Sequence, residues 1–246
     1  MSGSELTIIT LLLMIGGATL WAISRQHGEA PATHAATAAE LIEKARALDP
    51  NNTLMFELAG HLTQAIGSLQ ESIVDFRNAS ERDPLNVLMR RYLARMLNYA
   101  GQYQEAVQVL RNAIAANPGF PAIHCELGRA LLGLGDRQRT LDAFEAEPSQ
   151  TWHYIGVPLG YYAMKRTAEA QAAMAELVAQ SKGSEFQMAE AYAYFGDTDQ
   201  AFHWLERARA QHDPGLMTVR RDPLLKSLEH DPRYAMFLAS IGLKPA

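Results

Sequence analysis

The stretch "NYAGQYQEAVQVLRNAIAANPG", residues 98–119, places glycine at 101, small residues at Ala106 and Ala113, a large apolar residue at Leu110 and a helix-stopping Asn117-Pro118 pair. Its copies lie at one fixed interval. Pro50, Pro84 and Pro118 are 34 residues apart (84 − 50 and 118 − 84), and Ala45, Ala79 and Ala113 keep the same separation. Gly67, Gly101 and Gly135 follow suit, and Phe76, Leu110 and Phe144 hold a large apolar residue at that spacing. Four position classes sharing one period predict stacked helix-turn-helix units, each burying its apolar face on its neighbours. Gly101 permits the tight turn after the first helix, and Ala106 opens the second. Ala113 sits where two backbones approach, and Asn117-Pro118 ends the unit.

Composition agrees with an all-α chain. The sequence has 246 residues, 48% of them apolar, enough for a sizeable core. Its bias toward Ala, Leu, Glu, Gln and Arg favours helix over sheet. A formal net charge of −5 gives no basic domain of the kind nucleic acid attracts, so no nucleic-acid partner is expected. The lone Cys125 cannot form an internal disulfide and leaves the compartment open.

With 34-residue units, a Gly-Tyr type turn, two alanines and a terminal proline, the chain resembles the tetratricopeptide repeat family. The resemblance covers roughly Ala38 to the C-terminus, with further copies at Leu127–Phe144 and Ala191–Ala208. It implies a right-handed α-solenoid that binds a protein or peptide in a concave groove and has no catalytic activity. Departures matter. Ser72 and Thr140 stand at the second-helix alanine position and Glu147 replaces a later small residue, predicting looser packing there. Around 150–181, Lys165 replaces the turn glycine, and Pro158 predicts an interrupted, kinked first helix. Helix Ala38 to Leu48 reads as a second helix without its usual first partner.

The uncharged run Leu6 to Ile23 would rise roughly 27 Å as a helix, about the thickness of a bilayer's hydrocarbon. With Trp21 and Arg25 flanking it and no basic residue before it, 6–23 is predicted to be an uncleaved transmembrane anchor. A cleaved signal or a buried soluble helix are the alternatives. Arg25 alone supplies a positive-inside argument, which tips the repeat domain toward the cytoplasm. Residues 1–5 are then a tail, 24–36 a linker, 37–212 the repeat array and 213–246 a helical cap. Asp213-Pro214, Asp222-Pro223 and Asp231-Pro232, nine residues apart, each predict a helix start with Asp as N-cap and Pro at the first position. The segment "RDPLLKSLEHDPRYAMFLASIGL" resembles the closing segment of tetratricopeptide arrays attached to bacterial nucleotide cyclases and transcription regulators.

Catalytic patterns are thin. The eight histidines show no H-E-x-x-H pair and no zinc spacing, so no metal and no cofactor are expected. "GLGDRQ" and "GDTDQA" occupy repeat turns. His124 and Cys125, adjacent on a helix, point about 100° apart and do not form a nucleophile and base. The candidate site is the groove stripe of the first helices. Leu93, Ala94 and Leu97 mark the core side of the second repeat, leaving Leu88, Arg91, Arg95 and Asn98 opposite. Arg129 follows in the third repeat, and Glu57, His61 and Gln64 in the first. Arg91, Arg95, Asn98 and Arg129 are therefore the candidate partner-binding residues, for a segment bearing carboxylates. The apolar stripe of Trp152, Ile155, Tyr162, Phe186 and Tyr194 fits core better than binding surface. The carboxylate clamp that grips chaperone C-termini is disfavoured, because Glu57 and His61 stand where Lys and Asn would. The reading is a membrane-anchored, non-catalytic interaction scaffold. An envelope-side assembly factor resembling the anchored proteins of cytochrome c maturation, and an enzyme or metal-binding protein, are the competing readings.

Overall fold

The computed structural model describes residues 53–66, 68–180 and 182–243. The predicted anchor 6–23, linker 24–36, helix Ala38 to Leu48 and turn residue Gly67 lie outside them. Ten α-helices follow one another in pairs. They are α1 (Thr53–Ile66), α2 (Leu69–Arg82), α3 (Val87–Tyr99), α4 (Tyr103–Ala116), α5 (Ile123–Gly133), α6 (Arg137–Glu145), α7 (Gln150–Ala163), α8 (Thr167–Gln180), α9 (Glu185–Phe195) and α10 (Thr198–Ala210). Two 3-10 helices, η1 (Pro214–Thr218) and η2 (Pro223–His230), and a last α-helix, α11 (Pro232–Ser240), close the chain. No strand occurs among the described residues, and no helix there is long and apolar enough to cross a membrane. The fold is that of an all-α helix-turn-helix solenoid. It divides into two compact units, one ending at Met96 and the other beginning at Leu97.

The turns that follow α3, α5, α7 and α9 are built alike. Gly101 has φ +71°, its N–H donates to Asn98 O at 3.1 Å, and Gln102 N–H donates to Leu97 O at 2.9 Å. This double bond onto the last carbonyls is a Schellman motif, which requires a left-handed residue at the position after the helix. Gly135 (φ +74°) repeats it with Leu132 and Leu131, and Gly196 (φ +81°) with Ala193 and Tyr192. Lys165 occupies the same place with φ +61°, donating to Tyr162 O. A side chain there costs about 1 kcal/mol over glycine, and the motif is kept nonetheless.

Packing within a pair follows size compensation. A Cβ on Gly60 would stand 2.7 Å from Phe76, and one on Gly128 2.4 Å from Phe144. Gly60, Ala94 and Gly128 are 34 residues apart, as are Phe76, Leu110 and Phe144. Each of these two phenylalanines faces a glycine, the one residue that leaves room for the ring at such a distance. Phe144 is also met by α7, since a Cβ on Gly156 would lie 2.2 Å from its ring.

Three expectations of weaker structure are corrected. Ser72 is fully buried, and its hydroxyl donates to Gly60 O at 3.0 Å. Thr140 is fully buried and donates to Asp136 O at 2.7 Å. Both satisfy their hydroxyls without loosening the pair. Glu147 is not a defect either. Its carboxylate accepts from Ala122 N–H at 2.9 Å and Cys125 N–H at 3.0 Å, and so caps the N-terminus of α5 from a distant position in sequence. Helix α7 runs through Pro158 without interruption, with Pro158 buried inside it.

Each Asp-Pro pair starts a helix as expected. Asp213 accepts from Gly215 N–H, Asp222 from Leu224 N–H and Asp231 from Arg233 N–H, with Pro at the first position each time. The tail is fastened to α9. Asp213 also accepts from Phe186 N–H at 3.2 Å, and Ser227 Oγ donates to Ala193 O at 3.1 Å.

Candidate functional site

The four candidate binding residues divide between the units. Arg91 and Arg95 lie one turn apart on α3 in the first unit, both half-buried. They stand close enough to His61 on α1 to act on its charge. His61 has its pKa lowered, first by burial and then by repulsion from Arg95 and Arg91, against a raising bond from Gln64. Its ring meets Tyr92 edge-on at 4.7 Å and Phe76 edge-on at 5.3 Å, and Arg91 lies over the Tyr92 ring at 5.1 Å. The aromatic packing fixes where the α1 and α3 side chains sit, and burial, aided by the two guanidiniums, disfavours the charged imidazole. Glu57, on the same helix as His61, has its carboxyl pKa raised by burial.

Asn98 and Arg129 belong to the second unit, where each is engaged with other parts of the fold. Asn98 is only 4% exposed and donates to the Glu126 carbonyl at 3.2 Å, joining α3 to α5. Arg129 is buried in an ionic cluster. One Nη bonds the Glu190 carboxylate, and the other stands 3.7 Å from Asp222 Oδ2. Glu190 comes from α9 and Asp222 from the start of η2, so one guanidinium on α5 joins three elements. Burial and the neighbouring Asp222 carboxylate push the Glu190 pKa well above the ordinary carboxylate range, with Arg129 opposing. Two carboxylates against one cation leave a surplus negative charge in a desolvated place, and a proton on Glu190 relieves it. Arg129 itself is held firmly charged by its two partners, against the opposing effect of burial.

The sequence marks Asp222 only as a helix cap and does not mark Glu190. Nothing local marks the cluster, because Arg129 and Glu190 are 61 residues apart in sequence. The one available signal was a glutamate on the predicted inner stripe of a first helix.

The remaining features are structural. Cys125 is buried and its thiol is pushed up to about 12 by burial, so it is inert as a nucleophile. Exposed His124 is turned to Pro118 O at 3.3 Å. Ile155 and Phe186 lie in the apolar core of the second unit with Trp152 and Tyr194 packed against it, as expected for core. Tyr162 stacks on Phe195 at 4.4 Å and donates to its carbonyl. No group of three His, Cys, Asp or Glu among the described residues could hold a metal ion.

Comparison with known proteins agrees with this architecture. A family model described as TPR repeat matches residues 94–135. No curated protein sequence matches the chain. Among solved structures, the chain is similar to a tetratricopeptide repeat protein from Parabacteroides merdae, with a TM-score of 0.61 at 15% identity over 86% of this chain and 82% of that one. It is also similar to a MamA RS-1 double mutant, with a TM-score of 0.54 at 14% identity over 72% and 95% of the two chains. The pilF protein of Pseudomonas aeruginosa gives a TM-score of 0.52 at 16% identity over 83% and 94%. At these identities the likeness is one of fold.

Proposed function

We propose that this chain, which carries tetratricopeptide repeats, is a non-catalytic protein-interaction scaffold whose first-helix faces take a carboxylate-bearing segment of a protein partner. The observation that carries the reading is the pair Arg91 and Arg95, one turn apart on α3 and both acting on His61. Two guanidiniums on one face of a first helix, braced by Tyr92 and Phe76, favour planar anions through paired hydrogen bonds. An enzyme reading has little to build on. The described thiol is buried with its pKa raised, and the buried carboxylates of Glu147, Glu190 and Asp222 are engaged in capping or in the Arg129 cluster. We further propose that residues 6–23 hold the scaffold at a membrane with the repeats on the cytoplasmic side, on the length and flanks of that apolar run.

The test uses the full chain and two sets of fluorescent peptides, one rich in Asp and Glu and one with Asn and Gln in their place. The acidic set should bind and the amide set should not. Arg91→Glu with Arg95→Glu should weaken binding about 10- to 150-fold per lost charge-assisted bond. Arg111→Glu, at an exposed site on α4, should leave it unchanged. Equal binding of the two peptide sets, or wild-type binding by the Arg91/Arg95 variant, would refute the reading.

A further inference from the structure

The second unit holds a segment of its own chain where a ligand would be expected. Arg129 is on a first helix, α5, and Glu190 on another, α9. Between them comes Asp222, 3% exposed, at the start of η2. Helix η2 packs on α9, burying Leu224, Leu225 and Leu228. The segment also comes near the end of α3 and the start of α4. Asp222 raises the Tyr103 pKa, second to burial, and the Arg221 pKa is lowered by burial and by Arg220, with Tyr99 opposing. Residues 221–228 thus meet groups from the second, third and fifth repeats, a reach that covering α9 and α10 alone would not require.

The fit of this occupant is imperfect at its charged end. Asp222 Oδ1 accepts from Leu224 N–H at 2.9 Å and the Asp222 carboxylate shares a hydrogen bond with Glu190, whereas the nearest Arg129 nitrogen stands 3.7 Å from Oδ2, beyond bonding reach. A carboxylate held off its cation forgoes a charge-assisted bond, and Glu190 competes for the same guanidinium. An incoming carboxylate that reaches Arg129 directly would regain a charge-assisted bond that the resident one lacks.

We propose that the face formed by Arg129 on α5 and by α9 is a peptide-binding site, closed in the isolated chain by its own residues 222–228, and that a partner segment with the same chemistry enters by displacing them. That chemistry is an aspartate N-cap, a proline and leucines on one side of a short helix, as in "DPLLKSL". The proposal rests on the scaffold reading but uses a different unit and different residues. It makes the tail a resident competitor, so partner affinity depends on how often the tail is undocked.

The experiment titrates a fluorescent peptide of residues 219–230, and the same peptide with Asp222→Asn, into the full wild-type chain and into full-length Asp222→Ala, with molar mass followed by light scattering. Weakening the resident tail should tighten binding of the unaltered peptide at least tenfold in the Asp222→Ala chain. The Asn peptide should bind at least tenfold more weakly than the Asp peptide to the same unmutated protein, a comparison that no folding defect can produce. Equal affinity of the two peptides, equal affinity of the two chains, absence of binding to both, or Asp222→Ala chains that pair with one another and exclude the peptide would each overturn the proposal. All these changes lie in the second unit, so a negative result is separable from failure of the Arg91/Arg95 face.

Discussion

Replacing Arg129 by leucine probes the ionic cluster most sharply, because the side chains involved are nearly sealed from water. The exposed fractions are 13% for Arg129, 3% for Glu190 and 0% for Asp222. Removing the cation strands two carboxylates, and breaking such a buried pair costs about 3–5 kcal/mol. For a helical array of this size each kcal/mol moves the thermal midpoint by roughly 2–4 °C, so the midpoint should fall by about 6–20 °C. Far-UV circular dichroism during heating reads this directly. The deficit should shrink in acid, because a proton on Glu190 removes one stranded charge. Arg129→Leu combined with Glu190→Leu should lose less than the single variant, since the apolar pair leaves only Asp222, which still caps η2. A single variant within about 1 kcal/mol of wild type, or a double variant less stable than the single, would refute the account of the cluster.

Glu147→Ala should cost about 2–3 kcal/mol by leaving Ala122 and Cys125 N–H groups without their acceptor, and exchange of α5 amides should rise first. Gly156→Ala should cost about 1–3 kcal/mol in a melt, because its Cβ would stand 2.2 Å from Phe144, and adding Phe144→Leu should recover part of the loss. The two units should respond to pH in opposite directions. Glu190 and Asp213 have folded pKa values raised by burial, so their contribution is full below the unfolded values of 4.5 and 3.8 and is lost as pH rises through the folded ones. His61 has its folded value lowered from 6.5, so its contribution is full above 6.5 and is lost as pH falls. Hydrogen exchange between about pH 5 and 6.5 should show α1 gaining protection and α9 losing it as pH rises, and parallel changes in both would contradict the assignment.

The repeat was legible because its determinants are local. Gly101 and Gly135 sit where a Schellman turn demands positive φ, and the three Asp-Pro pairs cap helices through their own backbone neighbours. A period of 34 then brings Gly60 to Phe76 and Gly128 to Phe144, and that match of small against large could have been read from spacing alone. Glu147 reads in the sequence as a replaced small residue because its partners, Ala122 and Cys125, lie 25 and 22 residues earlier. Arg129 lies on a first helix, α5. What spacing could not tell is that the tail returns to meet it, because that depends on where η2 packs after five repeats.

Residues 222–228 act as a docked yet displaceable occupant of the second unit. Hydrogen–deuterium exchange on the full chain, with and without excess peptide of residues 219–230, tests it directly. Alone, the amides of Leu224 and Leu225, bonded to Asp222 Oδ1 and Asp222 O, should be protected. With peptide, exchange at 222–228 should accelerate while α9, still covered, keeps its protection. Tail amides that exchange freely without peptide, or that stay protected at saturating peptide, would contradict it.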